Sequence, residues 1–255
     1  MTQQQSNKFP SLISTPQNPL ILYNIWDAGS AKTIEKKIIN KVKNPVIATS
    51  SWAVAESHGY KDGEQYPFQQ ALENLKEIVR AVKMPVSFDF ESGFAVTPQE
   101  VAKNVIQVIN CQVKGINFED QIIGQEAARY SIEDQCERIK AIRKVVDSSN
   151  ADVFINARTD IFLQKNVAEH NEKDLHEAIE RNIAYAKAGA HGYFVPGLIN
   201  KEFIKKLCDD SPIPINIMVD SDVATKGLTD IGVSRISYGP FIYIKMLSML
   251  EELVN

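Results

Sequence analysis

Pro85-Val86-Ser87-Phe88-Asp89-Phe90-Glu91-Ser92-Gly93-Phe94 is an apolar run closed by two acids and a glycine. Side chains of an extended strand alternate between faces, so this spacing predicts that Asp89 and Glu91 point the same way at the strand's carboxyl end. Two carboxylates about 4 Å apart repel by roughly 4 kcal/mol at an effective dielectric near 20, and a shared cation or proton relieves that repulsion. A divalent metal held through oxygen fits the pair. The alternative is one acid capping the turn beside a solvated one.

Outward from this stretch the chain repeats one unit, a strand followed by a helix. On its N-terminal side, Leu20-Ile21-Leu22-Tyr23-Asn24-Ile25-Trp26 reads as a strand closed by Asp27-Ala28-Gly29-Ser30, and Ala31 to Val42 sets Ile34, Ile38 and Val42 on one helix face. Pro45-Val46-Ile47-Ala48-Thr49-Ser50 is the second strand, followed by a polar loop through Gly59 and Gly63 and a helix from Pro67 to Val82. After the acid-tipped strand, Thr97 caps a helix with Pro98 at its tolerant first position. Gly115 to Asp120 is the fourth strand, with Ser131-Ile132-Glu133-Asp134 opening its helix, and Val153 to Arg158 is the fifth, its helix ended by Gly189. Gly192 to Val195, Ile213 to Met218 and Val233 to Ser237 complete eight. Eight such units predict an α/β fold, a (β/α)8 TIM barrel, as a single domain over 1–255 behind a polar leader, 1–18. An open doubly wound sheet is the alternative, but Asp27 to Ser30 lacks the G-x-G-x-x-G turn of that fold.

Charge excludes one class of partner: 28 basic against 32 acidic residues, without a dense basic block, give no positive field for nucleic acid. Small molecules are the expected partners. Cys111, Cys136 and Cys208 form no C-x-x-C pair and are odd in number, which fits reduced thiols in a cytosol. With no apolar signal core in the leader and no membrane-length apolar run, the expectation is a soluble, cytoplasmic protein.

Active sites of such barrels sit where the strand carboxyl ends share a face. Those ends collect Asn24 and Trp26, Ser50, Asp89 and Glu91, Asn117 and Glu119, Asn156 and Arg158, and Asn216. Glu119 is placed to join Asp89 and Glu91, directly or through water, in an all-oxygen site that suits Mg2+ better than zinc. Arg158, the lone cation there, either holds a substrate carboxylate in a bidentate pair or forms an internal ion pair with Glu119 or Asp160. His58, His170, His176 and His191 have no metal-ligand spacing and read as solvated or loop residues, and Cys136 shares helical spacing with Ile132, Ile139 and Val146 and reads as a core thiol.

Asn24 to Ala31, Ala48 to Ser51, Gly59-Tyr60-Lys61-Asp62-Gly63-Glu64, Asp89 to Phe94, Gly115 to Asp120 and Asn156-Ala157-Arg158-Thr159-Asp160 together resemble the isocitrate lyase and phosphoenolpyruvate mutase superfamily. The likeness runs from about residue 20 to 240, and Phe194-Val195-Pro196-Gly197 and Gly232 to Ile236 are also in place. It implies a barrel whose last helix is exchanged between subunits, as a homodimer or homotetramer, and chemistry on C–C or P–C bonds of 2-oxo acids around Mg2+. By position it implies metal-site roles for Asp89, Glu91 and Glu119, and a substrate carboxylate held by Ser50, Ser51 and Trp52. Asp62 matches the loop acid that follows them, and Arg158 matches the arginine facing the substrate.

The departures are equally specific. The loop Gln121 to Arg129 has no K-x-C-G-H and no K-x-N-S, Gly197 stands where lyases place a glutamate, and Pro196 where the mutase has a histidine. Without the loop cysteine, Glu126 or water is left as the proton source. The expectation is therefore a Mg2+-dependent lyase or decarboxylase acting on a small 2-oxo or 2-hydroxy carboxylic acid, a di- or tricarboxylate, through an enolate. Its catalytic residues are Arg158, Asp62 and Glu126, and its substrate is bound by Trp26, Ser50, Ser51, Trp52, Arg158 and Asn216. A phosphonate C–P enzyme and a non-catalytic oxo-acid binder are the alternatives. No nucleic acid or membrane partner is expected.

Overall fold

The computed structural model describes residues 12, 14–41, 46–221, 225 and 227–254. Most of the leader, 1–11, and the expected element ends at Val42 and Pro45 lie outside the described residues. Eight parallel strands, β1 (Leu20–Ile25), β2 (Val46–Thr49), β3 (Val86–Asp89), β4 (Gly115–Glu119), β5 (Phe154–Arg158), β6 (Gly192–Phe194), β7 (Ile215–Met218) and β8 (Arg235–Ser237), close into a barrel in chain order. The seam pairs Leu22 of β1 with Ser237 of β8. The helices are α1 (Ala28–Ile38), α2 (Ser51–Ser57), α3 (Phe68–Ala81), α4 (Pro98–Asn110), α5 (Ile132–Ser148), α6 (Glu172–Ala188), α7 (Lys201–Asp210) and α8 (Phe241–Leu253). This is the expected (β/α)8 TIM barrel.

Strand alternation divides the apolar residues into two sets. Ile25, Ile47, Phe88, Ile116, Phe118, Ile155, Ile217 and Ile236 join the helices' apolar faces in one large core. Leu20, Leu22, Val46, Ala48 and Phe154 form a second cluster with Leu12, the barrel's own filling. Leu12 is 1% exposed, so the leader's end is not a polar tail but a plug. Its carbonyl accepts from the Arg235 guanidinium at 3.0 Å, and that cation lies 4.3 Å over the Phe154 ring.

Local signals set the helix boundaries. Thr97 and Glu100 form a reciprocal capping box on α4, Ser131 caps α5, and Gly189 closes α6 in the left-handed conformation at φ 110°. Three expectations are corrected. Asp27 to Ser30 is not a loop but a capping box, so α1 begins at Ala28, and the polar stretch after β2 opens with α2, capped by Ser50. His191 lies in the loop before β6, one of the two placements expected for it, and is buried, its Nδ1 accepting from the Ile155 N–H at 2.9 Å. Cys136 is half-buried against the core rather than inside it. Tyr243 is the single buried residue of α8, which leaves Met246, Met249, Leu250 and Leu253 exposed. No described helix is long and apolar enough to cross a membrane.

Candidate functional site

The site is built where β2 and β3 end side by side. Thr49 Oγ1 accepts from the Asp89 N–H at 2.8 Å, and the Ser51 N–H, opening α2, donates to Asp89 Oδ2 at 3.1 Å. Asp89 Oδ1 is buried with no hydrogen-bond partner. A buried carboxylate oxygen left in that state is costly unless something positive is brought to it.

Glu91 departs from the simple alternation. β3 ends at Asp89, and Glu91 lies beyond it in the left-handed region at φ 48°, so it does not share a strand face with Asp89. Its Oε2 accepts from the Glu64 N–H at 2.7 Å, while Glu64 Oε1 accepts from the Phe94 N–H at 2.7 Å. Glu64 and Phe94 are left-handed as well, at φ 59° and 51°. Strain of about 1–3 kcal/mol at each such residue is therefore concentrated in a clasp that ties the loop carrying Asp62 to the loop after β3. Sequence spacing had not singled out Glu64.

Arg158 forms both internal pairs that had stood as alternatives to a substrate contact. Its Nε and Nη2 donate to Asp160 at 2.6 and 2.9 Å, and Nη1 lies 2.9 Å from Glu119 Oε2. Three of five guanidinium N–H groups are thereby engaged, and two remain for a substrate oxygen. Asp160 is itself fixed from behind. Its N–H donates to Asp120 Oδ1 at 3.3 Å, and Asp120 Oδ2 accepts from Arg181 at 3.1 Å and from the Tyr185 hydroxyl at 2.9 Å. The signal for this network was present in the pairs Glu119-Asp120 and Thr159-Asp160, where an acid lies at or just beyond the strand-end charge.

Among the described residues, no three acid, histidine or cysteine side chains gather as one metal-ligand cluster. Glu91 accepts from the Glu64 N–H and Glu119 pairs with Arg158, an arrangement that matches the through-water form of the expected site for these two acids. Mg2+ keeps several waters and needs only one or two protein carboxylates, so Asp89 Oδ1 with the other two acids behind water fits the ion.

A cavity of about 170 Å³ at this mouth brings together Ser50, Ser51, Trp52, Asp62, Asp89 and Arg158. Glu91, Glu119, Trp26, Asn216 and Glu126 do not line it. Trp26 packs edge-on against Tyr243 at 4.8 Å, Asn216 donates to Ser237 Oγ at 3.0 Å, and Glu126 is exposed in the turn of the short ladder Gln121 to Arg129. A larger cleft of about 670 Å³ lies at the opposite end of the barrel, around Met84, Lys114 and Val153. It holds no such cluster of buried acids, and catalysis in this architecture belongs to the strand carboxyl ends.

Burial raises the Asp89 carboxyl above its ordinary range against the pull of Arg158, and it raises Glu91 well above, with Asp62 and Asp89 adding to it. Burial also pushes Glu119 well up. The Arg158 charge pulls it back, and Asp160, Asp89 and Glu91 push it up again. The mouth thus carries a surplus of negative charge that an added cation would relieve.

Comparison with known proteins bears on this geometry. A protein of Burkholderia cenocepacia J2315, provisionally named a phosphonomutase, is 37% identical and superposes with a TM-score of 0.89 over 98% of this chain and 97% of its own. The uncharacterized protein MT2054 of Mycobacterium tuberculosis is 29% identical over 227 residues, 88% of this chain and 79% of its own length. The 2,3-dimethylmalate lyase of Eubacterium barkeri is 25% identical over 189 residues, 72% of this chain and 62% of the lyase. The family model described as phosphoenolpyruvate phosphomutase matches residues 9–255, which takes in every strand and the whole acidic mouth, and the chain belongs to that family.

Proposed function

We propose that this chain is a Mg2+-dependent lyase or decarboxylase that breaks a C–C bond of a small 2-oxo or 2-hydroxy carboxylic acid through an enolate. The observation that carries the reading is the buried, unpartnered Asp89 Oδ1 at a cavity that also presents Ser51 and Arg158. Asp89 would hold Mg2+ directly, and Glu91 and Glu119 through water. When bound there, the ion supplies the positive charge that draws electron density from the 2-oxo group. Ser50, Ser51 and Trp52 seat the carboxylate, and the two remaining Arg158 N–H groups meet the oxygen on which negative charge grows. Asp62, exposed at the rim, exchanges protons with solvent. Cys136 lies outside the cavity lining, and Glu126 faces water, so water delivers the proton to carbon.

The test is exchange of the C3 protons of pyruvate in D2O, followed by NMR. Exchange is expected to require Mg2+, to stop on adding oxalate, and to survive Cys136→Ser. Absence of exchange with Mg2+ present overturns the enolate chemistry. The 37% identical protein provisionally named a phosphonomutase favours a second reading, C–P chemistry, for which turnover of phosphonopyruvate is the assay.

Assembly belongs to the same reading. The exposed face of α8 forms a groove of about 410 Å³ lined by Ile242, Met246, Met249, Leu250 and Leu253, an apolar surface that a second copy of the chain would cover. Light scattering at micromolar concentration is expected to give a homodimer or homotetramer, and the double change Met249→Glu, Leu250→Glu a monomer. A stable wild-type monomer would count against this assembly.

A further inference from the structure

We infer that the fragment leaving the substrate is uncharged: the cavity selects a short 2-oxo monocarboxylate whose far end is neutral, not a di- or tricarboxylate. This rests on the function proposed above and narrows it.

Charge is the first argument. Among the described residues lining the cavity, Arg158 is the one cation, and three of its N–H groups are already engaged by Asp160 and Glu119. One carboxylate can be seated by the loop at Ser50 to Trp52, while the two free Arg158 N–H groups are committed to the 2-oxo oxygen. A second would enter beside Asp62 and Asp89, where the lining offers no cation beyond the Mg2+ that Asp89 would hold for the 2-oxo group, and an unpaired charge brought out of water is strongly disfavoured. The rest of the lining carries no charge: Asn24, Asn117 and Ser237 are neutral polar groups, and Trp52, Leu163, Phe194, Pro196, Met218 and Pro240 form an apolar wall.

The second argument is steric. Gly197, which follows this wall, sits at φ 82°, and a Cβ there would lie 2.8 Å from the backbone nitrogen of Leu163. The backbone of 162–163 is therefore packed directly on Gly197, which leaves no room for a polar side chain at that position. Volume agrees. A cavity of about 150 Å³ is the size that accommodates benzene, so the 170 Å³ here suits a short acid.

A substrate of this kind is a 4-hydroxy-2-oxo acid. The C3–C4 bond breaks and its electron pair passes to C3 as the enolate of pyruvate. The 4-hydroxyl proton leaves to the Asp62 carboxylate as C4 becomes a neutral aldehyde, and water protonates C3, so that no oxidant or reductant is needed.

The experiment compares kcat/KM with Mg2+ for 4-hydroxy-2-oxopentanoate, 4-hydroxy-2-oxoglutarate and oxaloacetate. The neutral-ended acid is expected to lead by at least about 100-fold, as a site without a partner for a polar group rejects it. Leu163→Lys, at a position 45% exposed where a long side chain can be placed, is expected to move the ratio at least about tenfold toward the carboxylated acids by supplying the missing cation. Preference of the wild type for oxaloacetate or 4-hydroxy-2-oxoglutarate, failure to cleave the neutral-ended acid, or a ratio unmoved by Leu163→Lys each overturns the inference. Pyruvate exchange separates the two levels: if it occurs while selectivity fails, only this inference falls, and if it is absent the enolate reading falls with it.

Discussion

Asp89→Ala is expected to abolish binding of Mg2+ with oxalate, with a loss of at least about 100-fold in affinity, because even the outer partners of metal ligands are worth 10–100-fold. The same replacement should alter how stability depends on pH. Burial raises Asp89, Glu91 and Glu119 above the values they have in the unfolded chain. A folded state that binds protons more tightly than the unfolded one is favoured below the unfolded carboxylate range, near pH 4, and loses that advantage as pH climbs through the raised values. Once pH exceeds those raised values, the metal-free wild type therefore carries the full repulsion of its ionised mouth. Mg2+ binds the ionised form and releases protons, so it should raise Tm more at pH 8 than at pH 5. Asp89→Asn removes one charge while keeping shape, and should raise the metal-free Tm at pH 8 yet remove most of the Mg2+ response. Thermal unfolding at the two pH values, with and without Mg2+ and oxalate, checks both signs. A wild-type Mg2+ response equal at both pH values would show that these acids do not bind the ion.

The barrel was legible because each of its parts is a local pattern. Ile34 and Ile38 on one helix face, the Thr97 and Glu100 box and Gly189 at a helix end are all written within a few residues of one another. The α2 helix was not, since seven residues beginning Ser51-Trp52 are too few for a period to show. Nor was the plug, where a lone apolar residue, Leu12, in a polar leader meets Arg235 at the far end of the chain. At the site, Asp89 and Arg158 could be placed because each ends a strand, whereas Ser51, Trp52 and Asp62 lie in the stretch after β2 and were legible only through the family resemblance. Glu91 was misplaced because alternation assumes the strand continues, and the chain turns left-handed before that residue can obey it. The Asp160, Asp120, Arg181 and Tyr185 network joins β4 and β5 to α6, and no spacing in a single segment encodes it.

That network decides what Arg158→Lys should do. Lysine keeps the charge but offers a single ammonium, which cannot place parallel N–H groups on Asp160 while also meeting Glu119. The substrate oxygen then loses a donor held in a fixed plane, and charge-assisted bonds of this kind are worth about 2 kcal/mol, so kcat/KM should fall roughly thirtyfold or more. Arg158→Ala adds a second effect, because Glu119 and Asp160 remain buried with nothing opposite them. Removing one partner of such a group destabilises by about 3–5 kcal/mol. That penalty requires ionised acids, so it should be larger at pH 8 than at pH 5, where the raised Glu119 carboxyl can take up a proton instead. Denaturant unfolding at both pH values, set beside steady-state kinetics on the substrate found by the panel above, separates the roles. An Arg158→Lys variant with unchanged kcat/KM would assign Arg158 to holding the acids together, and equal destabilisation of Arg158→Ala at both pH values would show that the buried charges are neutralised by some other group.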